Sequence, residues 1–183
     1  MNNRSSNKKN SGFTLIEMIV TITIVAIFAS IAVPSFSNLI KKNRITTSTN
    51  EFISSLVLAR SEALKRSRDV TVCASDDQTS CSGTEFSKGW IVYADCNGDG
   101  SLTAASVDCN GDGVLEETEI VKVHNGLEGV SISNGAADIT FKFSGRLGGV
   151  ASNTAFNIRH KSGTTVMKKV VINRVGRIRA ETP

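Results

Sequence analysis

The sequence lacks the residue arrangements on which most enzymes depend. It has only two histidines, His124 and His160, and it contains no Ser/His/Asp pattern, no Cys/His dyad and no phosphate-binding loop. It has no Cys-x-x-Cys pair either, and its histidines are far apart along the chain, which disfavours a zinc site. These absences predict a protein that is not an enzyme, that has no resident cofactor, and whose histidines are ordinary strand residues.

Charge is nearly absent from one long stretch near the start of the chain. Between Phe13 and Val33 there are 21 residues, and Glu17 is the only charged one. A helix of that length spans roughly 30 Å, the thickness of the hydrocarbon core of a bilayer. The twelve residues before it carry Arg4, Lys8 and Lys9 and no acidic side chain, which favours a cytoplasmic N-terminus. The stretch therefore predicts a single membrane-spanning helix.

The junction before this stretch resembles the processing site of type IV prepilins. Its residues are Gly12-Phe13-Thr14-Leu15-Ile16-Glu17, preceded by a short basic leader. The resemblance implies that prepilin peptidase cleaves between Gly12 and Phe13 and that Phe13 is then N-methylated. It also implies that Glu17 pairs with the N-terminal amine of a neighbouring subunit in a fibre. The alternative is that Glu17 lies near the lipid headgroups and is merely tolerated there.

The same resemblance implies a location and a set of partners. The protein would lie in the bacterial inner membrane as a single-pass protein with its head in the periplasm, and would then enter a pilus fibre at the cell surface. Its partners would be prepilin peptidase and other pilins, contacted through the N-terminal helix. Because an exported head meets an oxidising compartment, we expect its four cysteines to form disulfides. Three pairings are possible, and the local one, Cys73–Cys81 with Cys96–Cys109, closes short loops.

A helical pattern continues beyond the membrane stretch and then gives way to strands. Apolar residues recur at three- and four-residue steps from Ile45 to Leu64, which predicts one long helix from Phe13 to about Arg68. Arg60 lies on the same stripe, which we expect to pack in the core. From Asp69 onward, short β runs alternate with Gly, Asn and Ser. The predicted strands are 70–74, 89–94, 119–123, 130–133, 139–143, 156–159 and 165–175.

This order of elements predicts an α+β fold. A long N-terminal helix, half transmembrane and half amphipathic, would pack on a mainly antiparallel β-sheet head domain. The predicted segments are a cleaved leader at 1–12, a transmembrane or fibre-core helix at 13–34, its amphipathic continuation at 35–68, and a globular head with a basic C-terminal tail at 69–183.

The head also resembles the GspH/FimT family of minor pilins and pseudopilins. The residues that carry the resemblance are Val72-Cys73 with Cys81, Gly89 to Asp95 (GWIVYAD) with Asn97-Gly98-Asp99-Gly100, Phe143-Ser144-Gly145-Arg146, and Gly176-Arg177-Ile178-Arg179. Asp-Cys-Asn-Gly-Asp-Gly occurs twice, at 95–100 and 108–113, which makes this loop longer than is usual in the family.

The second copy of that repeat matches the spacing of a calcium-binding loop. Asp108, Asn110, Asp112 and Glu119 can supply oxygen ligands, and Gly113 can make the sharp turn. Against calcium, the sequence predicts no helix pair around the loop and places Glu119 at the start of a strand. Asn-Gly-Asp-Gly is also ordinary turn chemistry, so a structural turn without metal is favoured.

Charge is strongly segregated along the head. Residues 69–139 carry two bases and thirteen acids, a net charge of −11, whereas residues 140–183 carry nine bases and one acid, a net charge of +8. Such asymmetry suggests a polyanionic partner for the basic part. The alternative is that the two segments pair with each other within the fold.

The C-terminal tail concentrates the basic residues. Lys168, Lys169, Arg174, Arg177 and Arg179 lie within twelve residues, and Arg146 is expected to join them if its strand lies nearby. In an extended segment Arg177 and Arg179 point the same way and Ile178 between them faces the protein, and the two guanidinium groups suit phosphate oxygens. Gly176 lets the chain turn, or lets another backbone approach closely, just before them. No aromatic residue lies within the tail, so we expect recognition of the nucleic-acid backbone rather than of the bases. The alternative is a solvated basic edge that protects a terminal strand from pairing.

A resemblance favours DNA as the partner. In FimT proteins associated with transformation, a C-terminal Gly-Arg-x-Arg is the DNA-binding signature, and Gly176-Arg177-Ile178-Arg179 matches it. The expected protein is a type IV minor pilin whose tail binds extracellular duplex DNA non-specifically for natural transformation. The alternatives are a GspH-like pseudopilin of type II secretion and a pilus-assembly subunit with a purely structural role.

Overall fold

The chain divides into two compact units, Met1–Ile40 and Lys41–Pro183. The computed structural model describes residues 13–103, 105–109, 112–115, 118–133, 136–149 and 153–183. The basic leader and Gly12 therefore lie outside the described residues, as does Asn110 of the calcium-type loop.

Helix α1 (Leu15–Arg66) begins at a reciprocal cap. The N–H of Glu17 donates to Thr14 Oγ1 at 3.3 Å, and the N–H of Thr14 donates to Glu17 Oε2 at 3.5 Å, which is the capping-box arrangement. The helix ends because Ser67 adopts a left-handed φ of 53°. The sequence predicted its end about two residues later, near Arg68.

The part of α1 that belongs to the first unit is apolar on every side. Its 18-residue window of highest mean hydropathy reaches 2.4 and none of that window is buried. Within the described residues, α1 is the one helix long and apolar enough to cross a membrane.

The part of α1 that belongs to the second unit is amphipathic, and one face is buried. Its buried residues recur with helical spacing and mix small with large side chains: Ile45, Ser48, Thr49, Phe52, Ser55, Leu56, Ala59 and Ala63. The small residues let the strands approach this face closely.

Two antiparallel four-stranded sheets complete the second unit. In the first sheet the strand order is β3-β2-β1-β5, and in the second it is β4-β6-β7-β8. The strands are β1 (Val70–Ala74), β2 (Gly89–Ala94), β3 (Ile120–Asn125), β4 (Val130–Ser133), β5 (Asp138–Phe141), β6 (Thr154–His160), β7 (Val166–Ile172) and β8 (Ile178–Glu181). A single-turn 3-10 helix, Phe86–Lys88, precedes β2.

The main core joins α1 to both sheets. Phe52 of α1 has its ring centroid 5.6 Å from Trp90 of the first sheet and 5.2 Å from Phe156 of the second. A smaller cluster lies on the other face of the first sheet, where Ile91 and Tyr93 pack beneath Leu102. All six residues of β2 are therefore buried.

The predicted α+β class, with a long helix on a mainly antiparallel head, is confirmed. The strands at 70–74, 89–94 and 130–133 have the predicted bounds. The prediction of one strand over 165–175 was wrong at its end, because β7 stops at Ile172 and a turn follows it. The last strand, β8, lies on the edge of its sheet.

Candidate nucleic-acid interface

Two turns carry most of the arginines of the basic tail region. The first, turn A (residues 142–147), follows β5 and closes through the N–H of Lys142, which donates to the carbonyl of Arg146 at 2.8 Å. The second, turn B (residues 173–177), joins β7 to β8. Asn173 organises turn B, because its side-chain oxygen accepts the N–H of Arg177 at 2.7 Å and its carbonyl accepts the N–H of Gly176 at 2.8 Å.

The two turns are in direct contact. The N–H of Leu147 in turn A donates to the carbonyl of Arg174 in turn B at 3.2 Å. Gly176 has a φ of 77°, and a Cβ at this position would overlap the carbonyl oxygen of Gly145. Gly176 therefore meets turn A through its backbone, and only glycine has both the conformation and the space. The sequence grouped Gly176 with the DNA-binding residues and also expected it to permit a turn or the close approach of another backbone; the structure shows both the turn and the close approach.

Arg146, Arg174 and Arg177 are all exposed, and among the described residues none of them pairs with a carboxylate. Arg179 is 56% exposed, and its Nε lies 2.8 Å from Glu181 Oε1. That pair is a surface contact of low strength that an anionic ligand can displace. We call these four residues the arginine surface. Ile178, between the last two, packs against the main core as expected from its place in the motif.

The two lysines of the tail lie apart from each other. Lys168 is opposite Ile158 in the β6–β7 register and lines a groove with Lys42 and Ile45 of α1. Lys169 points to the other face of the sheet, where its partner in the β7–β8 register is Glu181. The structure brings Arg146 to the tail arginines, as the sequence anticipated, but it does not bring Lys168 there.

Two features of this region were missed by reasoning from the sequence. Phe143 in turn A is 62% exposed, so an aromatic ring does lie beside the tail although none lies within it. Arg60 of α1 donates from Nε to the carbonyl of Gly145 at 3.0 Å and from Nη2 to the carbonyl of Val175 at 3.2 Å. The sequence placed Arg60 on the buried stripe of the helix but carried no signal of these carbonyl partners.

The membrane-proximal candidates lie in the first unit. Phe13 is exposed and precedes the capping residue Thr14. Glu17 occupies the third position of the helix, where its carboxylate caps a free backbone N–H. The structure thus gives Glu17 a local partner within its own chain.

The calcium-type loop is organised around Glu119, which is only 1% exposed. Its Oε1 accepts the N–H of Cys96 at 2.9 Å and its Oε2 accepts the N–H of Thr103 at 2.7 Å. Asp108 accepts the N–H of Gly113 at 2.9 Å. The described part of the chain holds no group of three or more metal-ligating side chains. Both carboxylate oxygens of Glu119, one of the four predicted calcium ligands, are thus bonded to backbone N–H groups.

The first copy of the repeat has a similar internal arrangement. Asp95 accepts the N–H groups of Gly98 and Gly100, and Asp99 accepts the N–H and hydroxyl of Ser101. The Ser101 hydroxyl, then its backbone N–H, lower the pKa of Asp99 below its ordinary value.

The disulfides form within the two local pairs. Cys73 is bonded to Cys81 and Cys96 to Cys109. The second bridge joins the two copies of the repeat and closes the loop beside Glu119.

Comparisons with known proteins place this geometry in a family. A family model described as type II transport protein GspH matches residues 48–176, and a prokaryotic N-terminal methylation motif matches residues 7–33. The first match ends at Gly176, so it does not include Arg177 or Arg179.

Individual relatives agree with the family models. A fimbrial protein of Pseudomonas aeruginosa is 29% identical over 72 residues, which is 39% of this chain and 46% of the relative; the chain thus spans less than half the length of the curated relative that it matches. The type IV minor pilin FimU of Pseudomonas aeruginosa superposes with a TM-score of 0.55 and 21% identity, over 77% of this chain and 90% of FimU. A second crystal form of FimU gives a TM-score of 0.52 and 20% identity, over 74% of this chain and 91% of FimU.

The GspH model covers more than half of the chain, the methylation motif covers the apolar helix, and the fold agrees with that of a minor pilin. The chain therefore belongs to the GspH family, the family of type IV minor pilins and type II pseudopilins.

Proposed function

We propose that this protein is a minor pilin of a type IV pilus that binds extracellular double-stranded DNA non-specifically, for uptake during natural transformation. One observation carries the proposal. Arg146, Arg174 and Arg177 project from two touching turns, and among the described residues no carboxylate neutralises them. Family membership alone would not suggest DNA, since the matched range stops before both arginines of Gly-Arg-x-Arg.

The chemistry of the arginine surface suits a polyanion. Each guanidinium presents a planar set of donors that matches two phosphate oxygens. The four heads come from two turns and an edge strand, so a ligand can approach without displacing other parts of the sheet. Guanidinium groups of this kind bind the sugar-phosphate backbone and do not distinguish one base sequence from another. Binding should therefore be independent of sequence and strongly weakened by salt.

In this proposal the N-terminal unit is responsible for assembly of the protein into the pilus fibre. Prepilin peptidase cleaves between Gly12 and Phe13, and Phe13 is methylated. The apolar helix holds the protein in the inner membrane, with the head in the periplasm, and then packs with other pilins in the fibre. Glu17 caps its own helix before assembly and exchanges that contact for the N-terminal amine of a neighbouring subunit during assembly.

The head requires no metal in this proposal. Glu119 and the Cys96–Cys109 disulfide already hold the acidic loop. Treating the protein with a calcium chelator should leave its thermal unfolding midpoint unchanged. A rise in the midpoint on adding calcium would instead favour a calcium site with the ligands Asp108, Asn110, Asp112 and Glu119.

The test measures the binding of duplex DNA to the full chain in neutral detergent. Fluorescence anisotropy at several salt concentrations gives the affinity. Four phosphate contacts predict a slope of log K against log salt of about −3.6, from roughly −0.9 for each contact. The double variant Arg177→Gln, Arg179→Gln should bind roughly 50-fold more weakly at 0.1 M salt, with the slope reduced to about −1.8.

The matched control is Lys88→Gln, Lys122→Gln. It removes the same charge from the two basic residues of the acidic segment, far from either turn in sequence, and should change the affinity less than about twofold. Equal losses in both double variants would show attraction to net charge alone. Undiminished binding by the arginine variant would overturn the proposal and favour a GspH-like pseudopilin or an assembly subunit, whose head contacts protein and whose basic edge is incidental.

A further inference from the structure

Arg60 lies within the last two turns of α1, and its side chain occupies an unusual position for a charged residue. It is half-buried in α1, and among the described residues it forms no ion pair. Instead its guanidinium bonds to one carbonyl in each arginine-bearing turn, Gly145 in turn A at 3.0 Å and Val175 in turn B at 3.2 Å. Such bonds from a charged donor are stronger than bonds between neutral groups.

These two carbonyls lie beside the arginines of the proposed DNA-binding surface. Gly145 immediately precedes Arg146, and Val175 is two residues before Arg177. The turns also meet directly, through the bond from the N–H of Leu147 to the carbonyl of Arg174. One helix side chain therefore holds together the two backbones from which the exposed arginines project.

We propose that Arg60 is a positioning residue for the arginine surface, acting through the backbone of turns A and B rather than by touching DNA. This inference rests on the proposed function. A planar guanidinium can reach two carbonyls from one fixed position, which the single ammonium of lysine does less well. Two of the five N–H donors of Arg60 already bond to these carbonyls, and we expect these bonds to hold the guanidinium at the turns rather than on a phosphate. Arg60 keeps Arg146 and Arg177 at a fixed separation, so that both contact one duplex.

The first experiment measures the turns without any ligand. In the full chain in neutral detergent, amide hydrogen exchange of Leu147, whose N–H bridges the two turns, is compared between wild type and Arg60→Met. We expect the exchange of Leu147 to accelerate at least about tenfold while β1 and β2 keep their protection, because only the local contact opens. The matched control is Arg66→Met in the same helix, whose guanidinium pairs with Glu62 at 2.6 Å and should leave Leu147 unaffected.

The second experiment measures duplex binding in a double-mutant cycle. Arg60→Met should weaken binding by about 3-fold to 8-fold, up to the equivalent of one lost phosphate contact at 0.1 M salt. In the background of Arg177→Gln, Arg60→Met should lower the duplex affinity less than about twofold, because the Arg177 guanidinium that Arg60 positions is already absent. Arg60→Lys should lie between wild type and Arg60→Met. Arg66→Met should bind as wild type does.

The outcomes separate this inference from the proposed function. Unchanged exchange at Leu147 in Arg60→Met would overturn the positioning role, as would fully additive losses in the cycle, which would make Arg60 an independent DNA contact. If wild type fails to bind duplex DNA, the proposed function is overturned, and hydrogen exchange alone then decides whether Arg60 holds the two turns together.

Discussion

The acidic loop region (residues 95–119) and the two arginine turns are both rich in glycine and charge, but they use their charges differently. In the acidic region three of the described carboxylates bond to the loop itself: Asp95, Asp99 and Glu119 each accept backbone N–H groups of the same loop. In the two arginine turns, the side chains of Arg60 and Asn173 bond to the backbone instead, and the guanidinium groups of the turns' own arginines are left exposed.

This difference shows why charge counts alone do not locate a binding surface. The acidic segment has the larger net charge, −11 against +8, yet several of its carboxylates already have hydrogen-bonding partners within the loop. A charged side chain whose polar atoms already have several partners within the fold is less available to a ligand than one whose head is exposed and weakly paired. The following variants test that distinction.

The largest effect is expected from an alanine substitution at Gly176 in turn B. Its matched control is Gly98 in the acidic loop region, which has the same φ of 77°. A Cβ at Gly176 would overlap the backbone of Gly145, whereas a Cβ at Gly98 has nothing within 4 Å. Gly176→Ala should lower the free energy of unfolding by about 3 kcal/mol, and Gly98→Ala by only about 1 kcal/mol, the cost of a left-handed alanine. Urea unfolding followed by circular dichroism measures both. Equal losses would mean that the contact between the turns contributes nothing.

The next effect concerns the buried carboxylate of the acidic region. Glu119→Gln replaces one acceptor oxygen with an NH₂ group that faces a backbone N–H, so a buried donor is left unpaired. We expect the free energy of unfolding to fall by about 2 kcal/mol. The same substitution at the exposed Glu128 is the control and should have little effect. A Glu119→Gln protein as stable as wild type would show that this carboxylate does not organise the loop.

A smaller effect separates Arg146 from Lys168, which the sequence grouped together. Arg146→Gln should weaken duplex binding about 8-fold at 0.1 M salt and make the salt slope shallower by about 0.9. Lys168→Gln should change affinity less than about twofold, because Lys168 lies in the groove beside Lys42 and Ile45. Fluorescence anisotropy on the full chain measures both. The reverse ranking would move the interface from the turns to the groove.

The smallest effect is a pH dependence at the loop closed by the Cys73–Cys81 disulfide. The hydroxyl of Ser80, followed by the N–H groups of Thr79 and Ser80, holds the pKa of Asp77 far below its ordinary value of 3.8. A lowered pKa means that the stabilisation is complete above the ordinary value and is lost as pH falls toward the lower one. Carbon-detected NMR should show the Asp77 carboxyl titrating well below the ordinary value for an aspartate. Titration of Asp77 at its ordinary value would contradict these hydrogen bonds.

Much of the fold could be predicted because it depends on local patterns. β1 and β2 are short apolar runs bounded by turn residues, and their bounds are those that the sequence predicts. The error at the end of β7 arose because Asn173 is compatible with both strand and turn. In the structure the side-chain oxygen of Asn173 accepts the N–H of Arg177, which stabilises the turn. That hydrogen bond forms only when the chain folds back.

The candidate site was only partly predictable because its geometry depends on contacts across the fold. Alternation in strands indicates that Lys168 and Lys169 point to opposite faces, but not which face meets α1. The role of Gly176 depends on turn A, which lies about thirty residues earlier in the sequence. The position of Arg60 within a helical stripe predicted burial, but its carbonyl partners lie 85 and 115 residues away.

The sole tryptophan gives this protein an intrinsic optical probe. Trp90 is fully buried, and its indole ring stacks on the His124 imidazole with centroids 3.8 Å apart and planes at 5°. The apolar N-terminal helix has no tryptophan, so indole emission comes entirely from the head, even in a lipid bilayer. Loss of the stack during denaturation can therefore be followed in reconstituted membranes, without labelling the protein or detaching its anchor.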